Sequence, residues 1–280
     1  MRLFANSRIP KTLVIGPMIL YSKFVMDLYF DISRSKGYKS ASQIARVLTE
    51  DWGKRNLFCI SCRRSSLQKA AENTKVYDYV CGHCREPYQL KSQSRPLSNK
   101  IIDSAYEPMI ESIRINRAPN LLLLQYCPED YCAENLVAVP RFFLSTSCIE
   151  ARNPLSALAR RAGWVGCYIV LKQLPPDGRI PLIENRKILN PDEARKKYSR
   201  FRFLLEGKSE LRGWTADVLR VIRELGKKDF CLDEVYSFED DLKSLHPQNT
   251  HIKPKIRQQL QLLRDKGILK FRESGHYSLT

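Results

Sequence analysis

No stretch of this chain approaches the ~18–20 consecutive apolar residues needed to span a bilayer. Residues 13–20 form an apolar run near the N-terminus, but it is short and holds Gly16 and Pro17. Arg8 and Lys11 precede it and no small-residue cleavage site follows, so it makes a poor secretory signal. A membrane protein is not expected, and a cytoplasmic location is. Acidic charge is also scarce: 30 Asp and Glu face 47 Lys and Arg, a net charge of +17. That excess favours a polyanionic partner, with nucleic acid ahead of an anionic membrane surface, and says nothing about activity. Internal repeats are missing. So are the aromatic platforms on which single-stranded RNA stacks, which argues against an RNA-binding protein. Apolar content is not short. At 43% over 280 residues it supports a good-sized core, and the length predicts two domains.

The nine cysteines are an odd number. Cys59 and Cys62 form one CxxC and Cys81 and Cys84 another, with eighteen residues between the pairs. Four thiolates from two such knuckles close a tetrahedral shell around zinc, and paired CxxC motifs fit a reducing compartment. A complete thiolate shell leaves no open position, so this zinc is expected to be structural. His83 lies within the second knuckle and reads as a surface residue. Cys127, Cys132, Cys148, Cys167 and Cys231 read as ordinary thiols.

Around the second knuckle runs "VYDYVCGHCREPYQLKS". Asp78 lies in a segment with strand composition, and Gln89 and Lys91 are two apart, hence on one side of a strand. With the knuckle as the turn between the strands, Asp78 comes beside Gln89 and Lys91. A carboxylate and an amide carbonyl suit a hard divalent cation such as magnesium, and a nearby ammonium suits an attacking water and a charged phosphate. By spacing alone, a solvated strand face explains the same residues.

Helical patterning is expected over residues 41–52, with Ser40 and Gln43 at capping-box spacing, and over 99–115. Residues 119–127, 135–143 and 164–171 read as strands, 184–186 as a hairpin turn and 191–198 as a helix. Residues 205–214 form the best linker. Helices over 215–225, 232–245 and 251–266 and a hairpin around Glu273–Ser274–Gly275 then follow in the order of a winged helix. In the third of these helices Ile252, Ile256, Leu260 and Leu263 form the buried stripe. His251, Lys255 and Gln258 share another face, flanked by Lys253 and Arg257, where a recognition helix reaches base edges. Lys270, Arg272 and His276 on the wing would touch phosphates, unless this basic surface is only solvated. Arg160, Arg161 and Trp164 beside Gly163 offer a second DNA-facing group; Trp164 is either a base-stacking ring or core. Trp214 reads as core at the start of the terminal domain.

The stretches "ARVLTEDW", "ARRAGWVGC", "RGWT" and "HIKPKIRQQLQLLRDKGILKF", in this order and with the CxxC pairs, closely resemble the DpnI-like type IIM restriction endonucleases. The likeness runs from Met26 to the C-terminus. It implies an α/β PD-(D/E)xK nuclease core with an inserted four-cysteine zinc site, over residues 26–205, followed by an α+β winged-helix domain over 206–280. Residues 1–25 would be an extension, with translation starting at Met26. It further implies magnesium-dependent cleavage of double-stranded DNA at GATC carrying N6-methyladenine, by a monomer in solution. Asp78, Gln89 and Lys91 take the motif positions, and Glu50 on the first helix is implied as an extra magnesium ligand. Tyr77 replaces the motif's proline, and Gln89 stands where an acid is usual. A reader of the methyl group needs an apolar wall, for which Trp164 is the candidate. The rival reading is a zinc-containing winged-helix regulator with a vestigial nuclease site.

Overall fold

The structure, a computed structural model, describes residues 26–63, 67–71, 74, 77–273 and 275–280. The expectation about residues 1–25 lies outside the described residues, and so does Ser274 of the wing turn.

Helix α1 (Ala41–Asn56) precedes the strands β1 (Leu67–Lys69), β2 (Tyr79–Cys81), β3 (Pro87–Gln93) and β4 (Lys100–Ala105). Helix α2 (Tyr106–Arg114) leads into β5 (Asn120–Cys127), β6 (Cys132–Val139), β7 (Ile149–Ala151) and β8 (Gly166–Val170). The hairpin β9 (Ile180–Glu184) and β10 (Lys187–Ile188) and helix α3 (Pro191–Arg200) complete the larger part. Helix α4 (Ser209–Glu224), β11 (Asp229–Cys231), α5 (Leu232–Tyr236), α6 (Glu239–Leu245), α7 (Ile252–Asp265), β12 (Leu269–Phe271) and β13 (His276–Leu279) make up the C-terminal part.

The architecture is mixed α/β. A seven-stranded sheet runs β1-β2-β3-β5-β6-β9-β10, and a smaller one runs β4-β8-β7. All neighbours in the large sheet are antiparallel except β3 and β5, whose crossover passes through β4 and α2. Leu121, Leu122, Leu123 and Leu124 on β5 are wholly buried, as a strand covered on both faces requires. Helix α1 packs Leu48 and Trp52 inward, and the Trp52 indole donates to the Asp27 carbonyl at 2.8 Å. At Gly53 a side-chain carbon would stand 2.5 Å from the Tyr79 hydroxyl, and that hydroxyl donates to the Glu50 carbonyl. Glycine is what lets the helix lie this close to β2.

Several expected boundaries move. The Ser40 side chain does not cap α1; its hydroxyl pairs with that of Ser42, a local competitor for the backbone amides. The expected helix over 99–115 is strand β4 followed by α2. Pairing with β8 imposes a two-residue alternation that buries Ile101 and Asp103, and Pro108 falls in the first helical turn, where it is tolerated. The strand expected over 135–143 stops at Val139, before Pro140, and residues 141–143 turn as a 3-10 helix. The expected linker is largely the start of α4: Arg212, Gly213 and Trp214 are buried by contacts that local polarity could not reveal. The helix expected over 232–245 is two, and the acidic run Glu239, Asp240, Asp241 marks the second N-terminus.

In the C-terminal part Ile252, Ile256, Leu260 and Leu263 are buried, as their spacing implies. The final hairpin gains a third strand, β11, on the outer side of β13, which three residues were too few to announce.

Candidate active site, metal centre and DNA interface

Strands β2 and β3 pair Tyr79 with Tyr88, and the Asp78 amide donates to the Tyr88 carbonyl at 2.9 Å. Carrying this register one step on sets Asp78 opposite Gln89. One Asp78 carboxylate oxygen accepts from the Leu90 amide at 2.8 Å, which holds the carboxylate against β3. Surrounding protein pushes the Asp78 carboxyl above the ordinary aspartate range. The Leu90 amide and the Lys91 charge oppose that shift, while Glu50 and Asp103 add to it. Gln89 is half-buried and makes no side-chain hydrogen bond among the described residues.

Glu50 reaches the same neighbourhood from α1. Burial works to raise its carboxyl, but hydrogen bonds from Arg46 at 2.8 Å and Lys69 at 2.9 Å hold it below the ordinary value. Asp78 and Glu50 share a cleft of about 920 Å³ with Arg46, Ser92, Arg95 and Lys100. The alternation of β3 sets Gln89 and Lys91 on its other side from Leu90 and Ser92, which line that cleft. There the Lys91 ammonium forms an ion pair with Asp103 of β4. Sequence reading missed Asp103, having placed it in a helix. Pro108 was the signal that any helix begins later.

The four knuckle cysteines converge: the Sγ atoms of Cys59, Cys62, Cys81 and Cys84 all lie within 4.8 Å of one another. Cys59 and Cys84 are 3.5 Å apart and Cys62 and Cys81 3.6 Å apart, with no disulfide between them. Four sulfurs at ~2.3 Å from a tetrahedral zinc stand roughly 3.8 Å from each other, so the donor set and its spread fit zinc. Burial raises the Cys59 thiol and pushes Cys84 up to about 11, so a bound cation must displace protons here. His83 is exposed beside them. The Tyr88 hydroxyl lies 3.1 Å from Cys59 Sγ, joining the knuckle to β3 two residues before Gln89's neighbour Leu90. Glu86, just past Cys84, binds Arg141 at 2.9 Å, and Arg141 continues to Asn116. From α4 the buried Arg212 guanidinium donates to the same Asn116 side chain and to the Ile113 carbonyl.

Arg160 is exposed, and Arg161 lies with its guanidinium 4.7 Å from the centre of the Trp164 ring. Trp164 is half-buried against Gly166, so it is neither free nor wholly core. Gly163, at φ +74°, supplies the turn that brings the ring back onto the arginine. On α7 and the wing His251, Lys253, Arg257, Gln258, Lys270 and Arg272 are exposed. Lys253 sits over the Tyr236 ring and pairs with Glu239, while Arg257 donates to the Tyr236 hydroxyl at 2.6 Å. Lys255 differs from its expected outward face: it is half-buried, with its ammonium 6.0 Å from the Trp214 ring centre. Arg272 donates to Ser278 across the hairpin. Trp214 is wholly buried, as expected of core, and stacks on His246.

No helix among the described residues is long and apolar enough to cross a membrane. Two family models match the chain: the DpnI model, described as the Dam-replacing family, over residues 26–207, and the Dam-replacing helix-turn-helix domain over residues 210–279. The first covers well over half of the chain and takes in Asp78, Gln89, Lys91 and all four knuckle cysteines; the second takes in α7 and its wing. The chain belongs to the DpnI, or Dam-replacing, family.

Proposed function

We propose that this protein is a type IIM restriction endonuclease that cuts double-stranded DNA at GATC containing N6-methyladenine. The observation that carries the reading is the pair of carboxylates Asp78 and Glu50 in one cleft lined with Arg46, Arg95 and Lys100, with Lys91 across β3 yet near enough for its charge to act on Asp78. Family membership and a helix-turn-helix domain support DNA as the substrate, and the net charge of +17 agrees. Residues 26–205 would form the PD-(D/E)xK nuclease and residues 206–280 the winged-helix reader. The protein would act in the cytoplasm, as a monomer until it meets DNA.

The site fits a hard cation, because Asp78, Gln89 and Glu50 offer oxygen and nothing softer. Magnesium, when bound, would polarise the scissile phosphate and acidify a water. Asp78 would hold it through the carboxylate oxygen that the Leu90 amide leaves free, with Glu50 in the same cleft and the Gln89 carbonyl turned in from the neighbouring position of β3. Lys91 would orient the attacking water and steady the charge that gathers on the phosphate oxygens. Arg46, Arg95 and Lys100 would hold the DNA backbone along the cleft. Zinc would fix the β2–β3 hairpin and take no part in the reaction. On the reading side, Trp164 with Arg161 would meet the methylated adenine, while His251, Lys253, Arg257 and Gln258 face the major groove. Lys270 and Arg272 would hold phosphates.

A second reading, a zinc-containing DNA-binding regulator, is favoured by Gln89, since a neutral carbonyl binds magnesium less well than a carboxylate. One experiment separates them. A plasmid prepared from adenine-methylating and non-methylating hosts is incubated with the protein and magnesium. Cutting of the methylated plasmid alone, into the GATC fragment pattern, establishes the nuclease. Retardation of the methylated plasmid without cutting establishes the regulator.

A further inference from the structure

Asp103 has an unusual situation for a carboxylate. Its side chain is wholly buried, and neither oxygen has a hydrogen-bond partner among the described residues apart from its ion pair with Lys91. The strand that carries it is built to aim it there. Along β4 the residues alternate, so that Lys100 and Ile102 line the cleft while Ile101 and Asp103 turn inward. Pairing with β8 is regular from Lys100 to Asp103 and then shifts register before Ala105, and such bulges re-aim side chains.

We propose that Asp103 is a positioning residue for Lys91, fixing the ammonium that the cleavage reaction uses. The proposal rests on the reading of Asp78, Gln89 and Lys91 as the active centre. A lysine ammonium is a compact point charge on a flexible four-carbon stem, so it has no preferred place of its own. A buried anion on a different sheet supplies that place. As a device for stability alone the pair would be a weak choice, because well-packed apolar residues usually do as well as a buried ion pair. As a positioning device it fits, since Asp103 belongs to β4 and Lys91 to β3, and both their charges act on Asp78. Asp103 touches no substrate; it acts through Lys91.

The test uses the full chain, magnesium and an adenine-methylated GATC duplex, with duplex affinity read separately in calcium. Asp103→Asn should lower kcat about 100-fold, the scale of loss expected when a catalytic group is misplaced by an ångström. KM and duplex affinity should stay near wild type, and the melting temperature, lowered by the loss of one partner of a buried pair, should stay above the assay temperature. The double variant Lys91→Ala with Asp103→Asn should cut no more slowly than Lys91→Ala alone, because a residue acting through Lys91 has nothing left to position. If Asp103→Asn does not fold, Asp103→Glu takes its place, and moving the carboxylate by one methylene should lower kcat about fivefold or more at unchanged duplex affinity. The proposal is overturned by wild-type kcat in the variant that folds, by losses that multiply in the double variant, or by a loss that tracks affinity or the folded fraction at the assay temperature. Wild-type cutting by Lys91→Ala would instead overturn the active-centre reading itself. An inactive Lys91→Ala beside a fully active Asp103 variant would overturn only the role of Asp103.

Discussion

Asp217 and His246 meet at 2.8 Å, carboxylate oxygen to Nε2, where α4 passes under the residue that ends α6. Asp217 is wholly buried, the imidazole stacks on Trp214 with ring centres 3.8 Å apart, and Ser147 from the larger part donates to both carboxylate oxygens. A single acid thus ties α4 to the residue that follows α6 and to the larger part.

Burial raises the Asp217 carboxyl above its ordinary range, against hydrogen bonding and charge from His246 and charge from Arg220. An acid whose folded value is raised keeps its proton in the fold at a pH where the unfolded chain has released it. Its contribution to stability is therefore present below the ordinary value of 3.8 and is lost as pH rises through the raised one. Asp217→Asn should flatten the fall in melting temperature across that window. An unchanged slope would show that Asp217 titrates as an ordinary carboxyl.

On the proposed reading, Gln89→Glu replaces a neutral magnesium ligand with a charged one. The magnesium concentration for half-maximal cutting should drop about tenfold, a scale that corresponds to ~1.4 kcal/mol. Lys91→Ala should abolish cutting while leaving retardation of methylated DNA unchanged. A magnesium titration of cleavage and a gel-shift series read both.

Removing zinc should be felt first in the β2–β3 hairpin. Chelation, or Cys62→Ser, should lower the melting temperature by well over 5 °C, because a structural zinc contributes folding energy directly. Cleavage should fail together with folding. Near-ultraviolet circular dichroism before and after readdition of zinc checks this; a chelated protein that melts unchanged would remove zinc from the account.

The exposed polar residues of α7 and the wing should divide by role. Lys270→Ala should weaken binding to all sequences about equally and reduce the salt slope by about one, as loss of a phosphate contact does. Gln258→Ala should cost roughly 1–3 kcal/mol on GATC duplexes and little on others, as loss of a base contact does. Salt titrations of specific and scrambled duplexes separate the two.

At Trp164→Ala the discrimination between methylated and bare GATC should narrow, with binding to bare DNA little changed. Equal discrimination in the variant would place the apolar wall for the methyl group elsewhere.

The sequence was most informative where chemistry and spacing coincide. Two CxxC pairs led to four convergent sulfurs, Ile252, Ile256, Leu260 and Leu263 to a buried helix face, and Asp78 with Gln89 to neighbouring positions across a hairpin. It was least informative where a distant segment decides. Residues 100–105 read as helix because nothing local announces β8, yet pairing with β8 is what buries Asp103. Arg212 sits in a polar stretch that resembles a linker, and only Asn116 and Ile113, far away in sequence, explain its burial. Gly53 gave no signal at all, since its purpose is the Tyr79 hydroxyl above it.

The relay from Glu86 through Arg141 and Asn116 to Arg212 bears on how such a protein can be rebuilt. Burial depresses the Arg212 guanidinium, and the oxygens of Asn116 and Ile113 that answer it belong to the larger part. A foreign C-terminal part grafted after residue 208 would leave Asn116 to Arg141 alone, and this C-terminal part on a foreign partner would strand the Arg212 cation. The two halves are therefore a matched pair and not interchangeable modules. A change of DNA specificity by domain exchange would have to carry Asn116 and its surroundings along with α4.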